Sequence, residues 1–241
     1  MFEKCVKESI EELIFDLSKN PLLHFSEKSL QVRLVAKLLV KCPELSKPIP
    51  TSIYERYKKN IDKLGSEESY LIDALSVPPL QMEYGINEPD AYRVDIAILD
   101  PDEIKLIDGW QFQIEEQYLD PLIAIEIGTE KSGAKDMCGD HLENDAFKLK
   151  NSKKGYILNV MRNFNVGQKS DIRYQKKAAQ LKQFKDSLKT YSSSSKYAKI
   201  KFIGLIIHIA YQEIEFFDIK NEWKTFKYPY VGFTDAVTNK L

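Results

Sequence analysis

Apolar positions follow a helical spacing in the first part of the chain and a strand-like one later. Val6, Ile10, Leu13, Ile14 and Leu17 recur on one helical face, which predicts an amphipathic helix within Met1–Asn20, stopped by Asn20-Pro21. A second helix is expected to start near Ser26, a good N-cap residue, with Leu30, Leu34, Val35, Leu38 and Leu39 as its apolar stripe. Pro43, Pro48 and Pro50 break the chain after this helix, and one or two shorter helices are expected over 52–75. After Pro78-Pro79 the pattern changes. Tyr92–Leu99 and Leu122–Ile127 are near-continuous apolar runs, the signature of strands covered on both faces. Trp110–Tyr118 reads as a further strand between them. A helix is expected over 134–150, with Cys138, Leu142, Ala146 and Leu149 on one face, then a short strand at Tyr156–Val160. Leu181, Phe184, Leu188 and Tyr191 mark a long helix over 171–191. Ile200–Ala210 and Glu213–Ile219 close the pattern as two strands, joined in a hairpin through Tyr211-Gln212. This order predicts an α/β fold: a mixed central β-sheet flanked by helices and preceded by N-terminal helices. One domain is expected over 1–241, mainly helical in 1–78 and built on the sheet in 79–241.

Composition narrows the classes. No stretch approaches the roughly 18 uninterrupted apolar residues of a membrane helix, so no membrane partner is expected. The first twenty residues carry acids on an amphipathic pattern, unlike a signal peptide. Three cysteines without CxxC spacing argue against a disulfide framework or a zinc knuckle and fit a reducing cytoplasm. With only three histidines, a His-rich metal site is not expected. The net charge of −1 conceals an asymmetry: residues 82–130 hold 13 acids and 2 bases, whereas residues 131–201 hold 17 bases and 6 acids. Acids suited to cations followed by lysines suited to phosphates would serve a metal-dependent enzyme acting on nucleic acid. Taken singly, each block also reads as solvated surface.

Two carboxylates stand where apolar residues are expected. Asp95 interrupts RVDIAIL and Glu126 interrupts IAIEIG. A buried carboxylate is costly unless it is paired, hydrogen-bonded or bound to a metal. Strand alternation puts Asp95 on a face with Ala97 and Leu99, and Glu126 on a face with Ala124 and Gly128. If the two strands pair, both carboxylates reach one spot and form a hard oxygen site for Mg²⁺ or Mn²⁺, with the Ile127 carbonyl as a further ligand. The competing explanation is that each acid is satisfied at a sheet end by a backbone N–H or a basic partner.

An apolar strand carrying Asp, followed by one reading apolar-Glu-apolar, resembles the core of the PD-(D/E)XK (restriction-endonuclease-like) nuclease superfamily. The resemblance spans roughly residues 26–160. It extends to an acid in a helix before the first strand, Glu27 in FSEKSLQ, and to a helix after the Glu strand, HLENDAFKLKN. It implies a restriction-endonuclease-like core and metal-dependent phosphodiester hydrolysis, most readily of DNA in restriction, repair or defence, with Asp95 and Glu126 as metal ligands and catalytic residues. One departure stands out. The family's lysine belongs two residues after Glu126, where this chain has Gly128. The resemblance gives that lysine the task of orienting the attacking water and offsetting transition-state charge. Some members take the cation from the following helix instead. Here His141, Asn144, Asp145 and Lys148 lie at helical spacing, and Gly128 is expected to leave room for a long side chain. Lys148 is the first candidate, followed by Lys131 and Lys150. Glu27 and Asp145 are candidates for a second ion. An i,i+3 ion pair of Asp145 with Lys148 and a dipole-favoured Glu27 in a first helical turn are the ordinary explanations of the same residues.

Lys177, Lys182, Lys185 and Lys189, with Arg173, form a basic rim on the long C-terminal helix and are candidates for a nucleic-acid backbone. Nothing reads as a base-specific motif, a P-loop or a GxSxG elbow. The expected partners are nucleic acid, DNA first, and a second copy of the chain as a homodimer. Two other readings stand beside the nuclease. One is a catalytically inactive module of the same fold that binds nucleic acid or a protein partner, with Gly128 marking lost chemistry. The other is an unrelated α/β protein whose strand acids are structural.

Overall fold

The structure, a computed structural model, describes residues 2–20, 26–52, 75–86, 93–108, 118–129, 140–163, 172–209, 213–217 and 222–227. In chain order these form α1 (Phe2–Lys19), α2 (Glu27–Lys41), a 3₁₀ turn (Pro43–Ser46), β1 (Ile49–Pro50), β2 (Ser76–Val77), β3 (Leu80–Gly85), β4 (Arg93–Ile98), α3 (Pro101–Leu106), β5 (Ile123–Thr129), α4 (Asp140–Lys148), β6 (Lys154–Asn163), α5 (Ile172–Ser192), a second 3₁₀ turn (Ser195–Tyr197), β7 (Ile200–His208), β8 (Glu213–Phe217) and β9 (Trp223–Lys227). The expected helices within 52–75, the strand at Trp110–Tyr118, Cys138 and the turn at Tyr211-Gln212 lie wholly or mainly outside the described residues.

The fold is mixed α/β. Strands β3 to β9 form one seven-stranded sheet in sequential order, with β1 and β2 as a separate antiparallel pair. β3, β4 and β5 are antiparallel neighbours, β5–β6 and β6–β7 are parallel, and β8 and β9 add antiparallel strands at the far side. The parallel pairs need crossover connections, which α4 and α5 occupy. Strand alternation then sorts the core into two layers. Ile96, Ile98, Ile123, Ile125 and Ile127 face a layer shared with Val6, Ile10 and Leu13 of α1 and Leu30, Leu34 and Leu38 of α2. Ala97, Ala124, Ile157 and Met161 face the other way, toward Leu142 and Ala146 of α4 and Phe184 and Leu188 of α5. Every residue of β5 is buried, which is why it reads as an apolar run without alternation.

The short helix α3 and the strands β1, β2, β3 and β9 went unrecognised in the sequence. The helix has a local cause, since the Asp100 side chain accepts a hydrogen bond from the Asp102 N–H at 3.1 Å and Pro101 opens the first turn. β3 and β9 alternate only weakly, and their neighbours in the sheet make them strands. α2 starts as its sequence predicts. Ser26 Oγ accepts from the Ser29 N–H at 3.2 Å while Ser29 Oγ accepts from the Ser26 N–H at 2.9 Å, a reciprocal capping box. Replacing Ser26 with Ala removes one half of that box. The expected loss is about 1 kcal/mol, seen as a fall of roughly 2–4 °C in the thermal midpoint for a chain of this size; an unchanged midpoint would show that α2 is held by packing alone.

Candidate active site on the sheet face beneath α4

β4 and β5 pair in the register Ile96↔Ile125 and Ala97↔Ala124, which carries Asp95 opposite Glu126. Residues directly opposite share a face, so both carboxylates project toward α4. Both are buried, with Asp95 at 8 % and Glu126 at 3 % exposure. Asp95 Oδ2 accepts a hydrogen bond from the Ile127 N–H at 2.6 Å. α4 supplies the remaining charges. Lys148 Nζ donates to Glu126 Oε2 at 2.9 Å and to Asp145 Oδ1 at 3.2 Å, and His141 Nε2 lies 3.5 Å from Asp145 Oδ2. The i, i+3 and i, i+4 spacings of these residues put them on neighbouring positions of one helical face.

Among the described residues, three buried carboxylates thus share one ammonium, and this sets the electrostatics. Burial pushes Asp95 up to about 7 against the pull of the Ile127 N–H; the charges of Glu27 and Asp145 push the same way, and that of Lys148 opposes them. Burial also raises Glu126 well above the ordinary carboxylate range, helped by Asp95 and Asp145 and only partly offset by Lys148. Burial disfavours the Lys148 ammonium, but Glu126 and Asp145 outweigh it, so Lys148 stays charged well beyond neutral pH. The cluster is short of positive charge.

Two features of this face were not legible in the sequence. The first is Asn159 on β6. The register Gly128↔Asn159 puts its side chain beside Gly128, and a Cβ added at Gly128 would lie 2.0 Å from Asn159 Oδ1. The space expected to receive a lysine is therefore filled by a carboxamide, while Lys148 reaches Glu126 instead. Asn159 is 1 % exposed, and its Oδ1 and Nδ2 both lack a hydrogen-bond partner, as does Glu126 Oε1. Such atoms cost about 1–3 kcal/mol each when left unsatisfied. The second is Glu83. Met82↔Ile96 and Tyr84↔Val94 bracket it opposite Asp95, yet its φ is +50° and its carboxylate pairs with Lys28 of α2 at 2.9 Å. Like charges opposite each other on a sheet repel, and the left-handed backbone at Glu83 accompanies a carboxylate paired elsewhere.

The other candidates are placed less centrally. Glu27 opens α2, half-buried, within electrostatic reach of Asp95. Asn144 is exposed on α4. Lys150 is exposed and its ammonium sits 3.8 Å above the Phe147 ring. Lys131 and the side chains of Arg173 and Lys177 lie outside the described residues. On α5, Lys182 and Lys189 are exposed, whereas Lys185 pairs with Glu215 and lies over the Trp223 ring. Glu215 also accepts from His208 Nε2 at 2.7 Å, with His208 Nδ1 3.0 Å from Asn163 Nδ2. The charge of Lys185 is thus engaged within the fold.

No three His, Cys, Asp or Glu side chains among the described residues are arranged to hold a metal ion. The donor chemistry nevertheless suits a hard divalent cation: Asp95 and Glu126 share a face, Glu126 Oε1 is buried without a partner, and the cluster lacks positive charge. Compared with known protein families, curated proteins and solved structures, the chain matches none. No helix among the described residues is long and apolar enough to cross a membrane.

The raised Asp95 carboxyl ties stability to pH. Its folded-state value of about 7 lies above the unfolded value of 3.8, so the native state holds the proton more tightly. Its contribution is full below about pH 4 and is lost as the pH rises through about 7. Urea melts of EDTA-treated protein should show stability falling across this window, and Asp95→Asn should flatten the fall. Equal slopes in the two proteins would place the Asp95 carboxylate in water, contrary to its burial.

Proposed function

We propose that the chain is a metal-dependent nuclease with a restriction-endonuclease-like core, hydrolysing phosphodiester bonds, with DNA as the first substrate to test and the cytoplasm as its setting. The observation that carries this reading is the Lys148–Glu126 contact at 2.9 Å. The helix following the Glu strand supplies a cation to the carboxylate whose own strand has Gly128 where a lysine is expected.

Asp95 and Glu126, with the Ile127 carbonyl, would hold Mg²⁺ or Mn²⁺, and the chemistry supplied there is Lewis-acid stabilisation of a phosphoryl group. The protein's own residues account for the rest. The Ile127 N–H fixes the orientation of Asp95 through its hydrogen bond. Lys148 remains an ammonium, which suits it to countering charge that develops on the phosphoryl oxygens and not to acting as a base. Asp145 also holds that ammonium, and His141 lies beside Asp145. Leu142, Ala146 and Leu149 belong to the buried apolar layer on this side of the sheet, and such surroundings strengthen charge interactions. The exposed Lys182 and Lys189 of α5 would meet the phosphate backbone.

A specific observation favours a second reading. The carboxamide of Asn159 fills the position over Gly128, as a fold that had given up catalysis could tolerate. The inactive nucleic-acid- or protein-binding module therefore stands as the alternative, and activity separates the two.

Purified protein with Mg²⁺ or Mn²⁺ is expected to nick or degrade DNA, and EDTA is expected to stop it. Asp95→Ala and Glu126→Ala should each abolish cleavage with the circular dichroism spectrum preserved. Wild-type cleavage in either variant would remove both residues from the chemistry. Lys148→Met keeps most of the apolar stem and removes the charge. At a temperature where it remains folded, it should lower cleavage at least about a hundredfold while weakening DNA binding far less. Full activity in Lys148→Met would defeat the migrated-lysine assignment.

A further inference from the structure

Glu126 Oε1 and both amide atoms of Asn159 are buried polar atoms without partners on one stretch of one sheet face. The parallel register sets Glu126 beside Ile157 and Gly128 beside Asn159, so Asn159 stands two pairs along from Glu126, diagonal to it, and projects to the same side. Other unpartnered buried atoms occur in the chain, at Ser9, Gln31, Thr51, Tyr156 and Trp223, but each is a single atom. Among the described residues, only here do an amide oxygen, an amide nitrogen and a carboxylate oxygen lie unpartnered on diagonally related positions of one face. Buried amides ordinarily find partners. Gly128 leaves room for this one as it is placed, since a Cβ there would lie 2.0 Å from Asn159 Oδ1.

We propose that Asn159 is a cation-binding residue: its carboxamide oxygen joins Glu126 Oε1 as a ligand to a divalent cation, with Gly128 providing the room. This rests on the metal-dependent reading above and extends it. Acidic side chains alone do not complete a metal-holding group among the described residues, and a neutral amide oxygen is the donor type that supplements carboxylates around hard cations. The amide nitrogen is then left to donate to an oxygen that accompanies the ion, such as one of its waters. Lys148 sits on the other oxygen of Glu126 and does not compete for Oε1. The Gly128–Asn159 pair thus serves the ion, while Lys148 supplies the cationic side chain.

The test is Mn²⁺ binding, read from the EPR signal of the free ion at pH 8 with no nucleic acid present. Asn159→Leu, similar in size, should weaken Mn²⁺ affinity at least about tenfold. Asn159→Asp keeps an oxygen and adds charge, and should bind at least as tightly as wild type. Equal affinity in wild type and Asn159→Leu overturns the inference, as does an Asn159→Asp affinity no better than that of Asn159→Leu. A second measurement needs no variant. In ¹⁵N-labelled wild type, substoichiometric Mn²⁺ should broaden the Asn159 carboxamide cross-peaks beyond detection; peaks that stay sharp in a protein that binds Mn²⁺ overturn the inference. Absence of any Mn²⁺ binding by wild type removes the metal-dependent reading itself, and this inference with it, whereas binding unaffected by Asn159 removes this inference alone.

Discussion

The sharing of one ammonium among three buried carboxylates organises this face of the molecule. Asp95, Glu126 and Asp145 come from two strands and a helix, and Lys148 is hydrogen-bonded to two of them. A buried charge without a counter-charge is among the most expensive features a fold can carry. The arrangement therefore constrains its surroundings. α4 must dock with Lys148 over β5, and β4 must pair with β5 in the register that brings Asp95 opposite Glu126. Where a further acid, Glu83, falls opposite Asp95, the backbone takes a left-handed turn and the carboxylate pairs with Lys28. Burial is the main cause of the two raised carboxyls, with the neighbouring acids adding to it and Lys148 only partly offsetting it.

Such a cluster adds nothing to stability that apolar residues of the same volume could not supply. The two faces of the sheet make the contrast plain. Ile96, Ile98, Ile123, Ile125 and Ile127 meet α1 and α2 through apolar contacts. The opposite face has the same strands and equal burial, yet it gathers Asp95, Glu126 and Asn159 along neighbouring strands. Concentration of strongly perturbed carboxyls on one side of one sheet marks a candidate site. The line of Asn163, His208, Glu215 and Lys185 differs, because its members pair with one another and it reads as satisfied structure.

Much of this was present in the amino-acid order alone. Most helical and strand segments of the sheet region, both N-terminal helices and the Ser26 cap are legible in periodicity and local chemistry, since these depend on neighbours only a few residues away. Asp95 and Glu126 stand out because each interrupts an apolar run, and alternation assigns each to a face. Lys148 could be named as a neighbour of the strand acids because the next helix carries it at helical spacing from Asp145, and it does reach Glu126. β3 and β9 could not be read the same way, because their patterning is weak and pairing with strands already in place defines them.

Tertiary structure decided the rest. Whether two strand acids meet depends on register, and antiparallel pairing of β4 with β5 put them opposite each other. What fills the space over a glycine depends on the neighbouring strand, and parallel pairing with β6 put Asn159 there, 31 residues further along the chain. Asn159 lies in the run YILNVM as one polar residue among apolar and aromatic ones, a signal of the same kind as Asp95, but without charge and so easily taken for a tolerated substitution. Lys185 shows the opposite case: the helical pattern placed it on a basic rim, and only the fold brought Glu215 within reach to engage its charge. Local spacing determines which residues share a face of one element. Which faces meet is set by packing between elements distant in sequence, and that is where the chemistry of this site arises.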